Sequence, residues 1–271
     1  MKKLFIITIL CVFFTTGFTA RGFAGPTAFE VVRKMDTRED GDTLTTDTLM
    51  ILINKNKRKR IRNIKNIRKD YGPDTRGIIF FLSPADVRNT AYMSYEWDDA
   101  SKEDDSWLYL PALRKVKRIA SADKSGSFMG SDFTYSDING IKINDWDYTF
   151  IKENVKERGF DTFVVRGLPK KELKEKVLKE TGYLKTVMWI RKDNYMLVKG
   201  KYWVKKGHKI KYFKASDIKK VDDIWTACKL TMVTTKKGKV THSSVLKFSN
   251  IRYNTVIDDA TFTTRRMERG L

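Results

Sequence analysis

The chain has 271 residues, 41% of them hydrophobic, a formal net charge of +21 and only two cysteines. This length can bury one large core, and two cysteines exclude a disulfide-rich scaffold. Basic residues are spread along nearly the whole chain, which is typical of the solvent face of a sheet and disfavours a single nucleic-acid-binding patch.

The first 24 residues follow the pattern of a secretory signal peptide. Lys2 and Lys3 precede an apolar run over residues 4–18, and small residues at positions 22 and 24 fit a cleavage site. An uncleaved anchor is the alternative, although the run is short for a membrane span. We expect cleavage near Ala24 and export of residues 25–271 as a single domain. Because Lys2, Lys3 and Arg21 are removed, that domain has a charge of +18 and one cysteine, so it forms no internal disulfide.

The first predicted element in chain order is a helix from Thr27 to Met35. Pro26 suits a first helical turn, and apolar residues recur at spacings of three. A β pattern begins at Leu44. The segment from Arg60 to Arg68 then carries isoleucines at positions 61, 64 and 67. This spacing fits neither strict alternation nor a full helical stripe, so it predicts a strand with a bulge or a bend.

Further strands are predicted over residues 77–82, 89–97, 107–110 and 115–119. Between Trp146 and Tyr253 a series of strands is separated by turn signals such as Lys237-Gly238. Residues 120–140 are rich in Gly, Ser and Asp and predict no strand. The segment from Lys170 to Glu180 fits a short charged helix and a long hairpin arm equally well.

These elements predict a mainly β protein with ten or more sequential strands and about one helix. Sequential hairpins form antiparallel sheets, and a sheet of this size usually curls and encloses an apolar interior. All six tryptophans follow residue 24, and five of them lie in strand-like segments. Large aromatic rings line filled cores as well as ligand cavities, so both interpretations stay open on this pattern alone.

No catalytic or metal constellation stands out in the sequence. His208 and His242 lie in separate strand-like segments without Cys, Asp or Glu at metal-ligand spacing, so we interpret both as outward polar residues. Lys124 and Ser125 are adjacent in a Gly/Ser-rich segment, which is a weak signal for a catalytic dyad. We therefore predict no enzyme, no metal site and no cofactor.

Three stretches carry a resemblance to a known family. They are Phe81-Leu-Ser-Pro-Ala-Asp-Val87; Trp107-Leu-Tyr-Leu-Pro-Ala-Leu-Arg-Lys-Val-Lys-Arg-Ile119 with Asp123-Lys-Ser-Gly-Ser-Phe-Met-Gly-Ser-Asp-Phe-Thr-Tyr135; and Trp189-Ile-Arg-Lys-Asp193 with the closing Ile257-Asp-Asp-Ala-Thr-Phe262. Together they resemble the LolA/LolB-like superfamily, specifically its longer branch of outer membrane lipoprotein-sorting proteins. The resemblance covers nearly all of residues 25–271.

This resemblance implies a curved antiparallel sheet, an incomplete barrel, whose open side is covered by a lid of helices or loops. It also implies a periplasmic carrier that holds acyl chains of lipids or lipoproteins in an apolar cavity. Phe128, Met129 and Phe133 are then expected in the lid. The residues expected on the sheet side of the cavity are Trp107, Leu110, Trp189 and Trp203. Arg114 and Arg118 are both candidates for an arginine that locks the lid.

The same branch is similar to proteins that accompany exporters of the resistance–nodulation–division (RND) type, which implies relay of cargo toward an acceptor at the outer membrane. The densest basic run, residues 55–69, contains Lys57, Arg58, Lys59 and Arg60 as candidates for docking on anionic lipids or acidic partners. A solvated hairpin tip explains that run equally well. The alternative class of protein is an envelope scaffold with a filled core that docks through its basic surface.

Overall fold

The computed structural model describes residues 25–99 and 101–271, so the predicted signal peptide lies outside the described residues. Thirteen strands form one sheet within these residues. They are β1 (Thr43–Asn54), β2 (Lys59–Tyr71), β3 (Asp74–Ser83), β4 (Ala91–Glu96), β5 (Asp105–Leu110), β6 (Lys115–Arg118), β7 (Trp146–Glu157), β8 (Phe160–Pro169), β9 (Tyr183–Arg191), β10 (Leu197–Val204), β11 (Lys209–Val221), β12 (Ile224–Lys236) and β13 (Lys239–Tyr253).

The strand order is β6-β5-β4-β3-β2-β1-β13-β12-β11-β10-β9-β8-β7, and every described pair is antiparallel. Two meanders of sequential hairpins are therefore joined side by side where the first strand pairs with the last. The sheet is curved but not closed, because β6 and β7 remain as its two edges. The predicted incomplete antiparallel barrel is confirmed.

Four α-helices accompany the sheet in the described residues: α1 (Ala28–Asp36), α2 (Tyr135–Asn139), α3 (Lys174–Glu180) and α4 (Thr264–Arg269). The first matches the helix predicted from Thr27. The Thr27 and Glu30 side chains form a reciprocal capping box that satisfies free backbone N–H groups at its start. The segment left open between helix and hairpin arm is helical, with α3 following a 3₁₀ turn. No helix among the described residues is long and apolar enough to cross a membrane.

The isoleucines spaced by three residues in β2 face opposite sides of the sheet. Ile64 is buried at 4% exposure, whereas Ile61 is 50% exposed. The predicted irregularity is present as a register shift between Asn63 and Ile64 in the pairing of β2 with β3.

Residues 119–145 connect the two edge strands and contain no strand, as predicted; we call them the cover segment. They contain α2 and three short 3₁₀ helices. Phe128 packs against Phe81 of β3, while the Asp132 carboxylate is bonded to side chains of β12 and β13. The cover segment therefore crosses the concave face and contacts both halves of the sheet.

Three apolar clusters stabilise this arrangement. The largest lies between the concave face and the cover segment and includes Met50, Phe81 and Phe128. A second joins α1 to β8 and β9 through Val31 and Val32. The third joins Met267 of α4 to the opposite face of β3, β4 and β5. Helices therefore cover parts of both faces of the sheet, and the largest apolar cluster lies on the concave face.

Candidate functional site

The concave face and its cover enclose a cavity of about 440 Å³, which we call the apolar cavity. This volume is within the range of about 300–1,000 Å³ typical of small-molecule sites. Its sheet wall includes Met50, Ile64, Ile79, Met188, Tyr202, Phe213, Leu230, Met232, Leu246 and Phe248. Its other wall includes Met35 from α1 and Phe128, Phe133, Ile138, Ile141 and Ile143 from the cover segment.

A second, mainly apolar space of about 420 Å³ adjoins the apolar cavity, with Arg38 and Asp40 among its polar lining. The residues that line both spaces are Met35, Asp36, Asn66, Leu197, Phe213, Leu230 and Phe248. The shared walls make one continuous, mainly apolar track along the concave face, which suits a flexible, elongated ligand better than a compact one.

Strand alternation produces this wall. Successive side chains of a strand point to opposite faces, so Leu230 and Met232 of β12 line the cavity while Thr231 between them faces away. Leu246 and Phe248 follow the same rule in β13. The methionines in this wall are adaptable side chains that can repack around different ligands.

The three predicted lid residues all lie in the cover segment above this wall. Phe128, 1% exposed, contacts Phe81 and Tyr92 with ring centroids 6.1 and 5.4 Å apart, and it lines the cavity together with Phe133. Met129 packs against the same apolar cluster without lining the cavity.

An arginine that sequence reasoning missed holds this part of the cover. Arg62 of β2 is 7% exposed and donates from Nη1 to the backbone carbonyl of Met129. Burial lowers the pKa of Arg62, although a guanidinium remains charged near neutral pH. Arg114 instead occupies an exposed turn and Arg118 pairs with Asp105, so neither candidate lid arginine makes this contact. The long basic run around Arg62 gave no sign that this member is buried under the cover segment.

The four predicted sheet-side residues do not line the cavity, and that expectation is corrected. Met188 and Tyr202 line it, so Trp189 and Trp203, one position further along each strand, face the other side. Trp203 lies under Lys185 Nζ, which is 4.0 Å from its ring centroid. Trp107 packs with the cluster under α4, and Leu110 is half-buried at the end of β5.

Asp132 fastens the cover segment to the sheet. Its buried carboxylate accepts hydrogen bonds from Thr234 Oγ1 and from Ser244 Oγ at 2.7 Å, and lies 2.6 Å from His242 Nδ1. His242 is therefore a partner of the cover, not the outward polar residue that we expected, whereas His208 is exposed. Because Ser244 bonds the carboxylate and not the imidazole, the set lacks the geometry of a nucleophilic triad.

A second polar contact ties the cover to β9 and β11. Tyr183 Oη donates to Asp137 Oδ2 at 2.7 Å, and Lys211 Nζ lies 3.7 Å from the same carboxylate oxygen. Burial raises the pKa of Tyr183, and the adjacent Asp137 carboxylate raises it further. Burial lowers the pKa of Lys211, while Asp137 and Asp132 oppose that shift. Both contacts are hydrogen bonds or ion pairs, so the cover can separate from the sheet without covalent change.

The other catalytic, metal-binding and docking candidates of the sequence lie outside the apolar cavity. Lys124 Nζ donates to the carbonyl of Asp104 and not to the Ser125 hydroxyl, so these two side chains form no serine–lysine dyad. No group of three metal-ligating side chains occurs within residues 25–99 and 101–271. Lys57, Arg58, Lys59 and Arg60 are all exposed at the hairpin that joins β1 and β2.

Two crystal structures of bacterial proteins share this fold and part of the sequence. An outer membrane lipoprotein-sorting protein domain assigned in Vibrio parahaemolyticus is 29% identical with a TM-score of 0.78, covering 89% of this chain and 98% of that one. A DUF1329 family protein from Desulfovibrio piger is 27% identical with a TM-score of 0.78, covering 89% and 97%.

A more distant structure has the same fold. A LolA superfamily protein from Nitrosomonas europaea has the same fold at 15% identity, with a TM-score of 0.65 over 89% of this chain and 99% of that one. No curated protein matches the chain. A family model described as an uncharacterized protein matches residues 73–269. The chain therefore belongs to that family. As the sequence resemblance predicted, it is similar in sequence and fold to an outer membrane lipoprotein-sorting protein domain and in fold to a LolA superfamily protein.

Proposed function

We propose that this protein is a periplasmic carrier that holds acyl chains of lipids or lipoproteins and relays them toward the outer membrane. The observation that carries the proposal is the continuous apolar track between the sheet and its cover. The name of the relative from Vibrio parahaemolyticus supports the same class of cargo. The signal-peptide pattern of residues 1–24 supports export of the chain.

Binding of this kind needs no catalytic group. Burial of an acyl chain contributes about 0.8 kcal/mol per CH₂, so a chain of about ten buried methylenes gains a large free energy from the cavity alone. Release then requires an opening of the cover. The polar contacts of Arg62, Asp132 and Asp137 are weak enough individually to break when a membrane or a partner competes.

A scaffold with a filled interior is the alternative class. The scaffold hypothesis does not explain the two adjoining spaces of about 440 and 420 Å³ beneath a cover that is held by polar contacts. The carrier accounts for both features, so it is the function that we favour.

The exposed hairpin containing Lys57, Arg58, Lys59 and Arg60 is the part of the surface that we assign to docking. Its charge complements anionic headgroups and acidic surfaces, including those of an RND-type exporter or an outer-membrane acceptor. Replacement of all four by glutamine should weaken co-sedimentation with phosphatidylglycerol vesicles at low salt. Unchanged sedimentation would restrict this hairpin to a solvated turn.

A pair of tryptophan substitutions on β12 tests the carrier. Leu230→Trp fills the cavity from its wall, whereas Thr231→Trp adds the same ring on the opposite face. We expect the purified protein to take up a fluorescent fatty acid, Leu230→Trp to reduce uptake at least tenfold, and Thr231→Trp to leave it unchanged. Equal uptake by all three folded proteins would mean that the fatty acid binds elsewhere.

A further inference from the structure

A third cavity, of about 370 Å³, lies on the opposite side of residues 127–134 from the apolar cavity. Its lining differs in chemistry and consists largely of serine, threonine and lysine side chains; we call it the polar pocket. Its lysines are Lys205, Lys206, Lys209 and Lys211, and its one carboxylate is that of Asp132.

Sheet register places the polar pocket next to the apolar cavity on one face. Phe213 and Met232 are paired across β11 and β12 in the wall of the apolar cavity. Two residues along the same strands, Lys211 pairs with Thr234 in the wall of the polar pocket. Because a strand rises about 3.3 Å per residue, the concave face changes from apolar to cationic within about 7 Å.

The buried charges of the polar pocket are already satisfied within the protein. Lys211 is near Asp137, and the Asp132 carboxylate is bonded to Thr234, Ser244 and His242. Lys206 and Lys209 differ, because no carboxylate of the described residues lies within 4 Å of either ammonium group. Both are exposed at the hairpin that joins β10 and β11. Their positive charge is therefore available to a ligand.

Residues 127–134 form the boundary between the two spaces. Ser127 and Thr134 are bridged, and Phe128 N donates to Phe133 O, so the segment is a narrow turn. Phe128 and Phe133 line the apolar cavity, whereas Ser127 and Thr134 line the polar pocket. One molecule with an apolar tail and an anionic head can occupy both spaces when this turn shifts from its polar anchors.

We propose that the polar pocket binds a phosphate group, and that this group is the headgroup of the amphiphile whose acyl chain occupies the apolar cavity. Lysine is a compact point charge that suits phosphate oxygens. This assignment rests on the proposed carrier function and adds to it the class of cargo, a phosphate-bearing lipid. Free phosphate has the same chemistry, so the test separates the two sources.

The experiment measures affinity for fluorescent phosphatidic acid, for diacylglycerol with the same acyl chains, and for inorganic phosphate. It uses the full exported chain and two double variants of equal charge change. Lys206→Gln with Lys209→Gln removes the free charge of the polar pocket. Lys214→Gln with Lys219→Gln removes two exposed lysines of β11 that do not line the polar pocket. We expect a preference for phosphatidic acid that the first variant reduces about tenfold and the second retains, with diacylglycerol binding unchanged throughout.

The possible failures are distinguishable. Equal affinity for the two lipids in all three proteins would overturn the headgroup assignment and leave the carrier intact. Tight binding of inorganic phosphate, lost in the Lys206 and Lys209 variant without any preference between the lipids, would assign the pocket to free phosphate instead. Binding of neither lipid by the unmodified protein would overturn the carrier, and the headgroup assignment with it.

Discussion

Glu96, at the end of β4, is a carboxylate in an unfavourable environment. Ser94 Oγ donates to it at 3.3 Å. Burial raises the pKa of Glu96 to about 8, and the charge of Asp104 adds to this shift, while Arg68 and Lys124 oppose it. The folded protein therefore binds a proton at Glu96 that the unfolded chain releases near pH 4.5.

This shift predicts a pH-dependent effect of Glu96→Gln. A raised pKa contributes stability that is fully present below about pH 4.5 and is lost as the pH rises through about 8. Glutamine keeps the shape and cannot ionise, so urea unfolding should give similar stabilities at pH 4.5 and a variant more stable by a few kcal/mol at pH 9. The exposed Glu172→Gln is the matched control. A Glu96→Gln effect of the same size at both pH values would contradict this account.

The individual side chains that hold the cover segment were the hardest part of the site to predict from the sequence. His242 and Asp132 are 110 positions apart, and no spacing rule connects a histidine of one strand with a carboxylate of an irregular segment. Arg62 is one of many basic residues in its run, and its burial beneath the cover segment distinguishes it from the exposed Arg60 on the same face. Both depend on how the cover crosses the sheet, which the local pattern does not encode.

At the scale of elements, the cover segment is held to the sheet by a small number of polar contacts. Arg62 donates to the carbonyl of Met129, and Asp132 accepts from β12 and β13. Apolar packing of Phe128 and Phe133 against the core supports the same position. The opening of this segment should therefore be sensitive to the loss of one anchor.

Arg62→Leu should loosen the cover without unfolding the sheet. Loss of one hydrogen bond from a charged donor costs about 1.5 kcal/mol, which corresponds to about tenfold faster amide hydrogen exchange of residues 127–134. Arg60→Leu is the control, because Arg60 lies exposed on the same strand and face. Unchanged exchange in Arg62→Leu, or equal acceleration in Arg60→Leu, would show that this contact does not hold the cover.

The faces of the strands explain which cavity residues were predictable. Strand alternation correctly places Met188 and Trp189 on opposite faces of the sheet, and likewise Tyr202 and Trp203. It does not show which of the two faces is the concave one. Size and aromatic character favoured the tryptophans as ligand contacts. The structure instead places Lys185, Lys199 and Lys201 over these rings on the other face, where long lysine side chains cover apolar surface.

At the scale of the whole molecule, the order of the strands follows from the sequence because most neighbours are consecutive hairpins. The exception is the pairing of β1 with β13, which joins residues about 200 positions apart and for which no local signal exists. The same pairing brings Met50 and Leu246 into one cavity wall. The fold class was therefore accessible from hairpin patterns, whereas the enclosed volume depends on a contact that only the complete fold provides.

The central claim is that the apolar track holds an acyl chain in the native protein. Native mass spectrometry of the chain purified gently from the periplasm of a bacterial host, with lipid extraction in parallel, tests it most directly. We predict about one lipid or acylated peptide per chain, released on denaturation and enriched in phosphate-bearing species. A clean ligand-free mass, together with no uptake of a fluorescent fatty acid, would contradict the carrier and favour the scaffold.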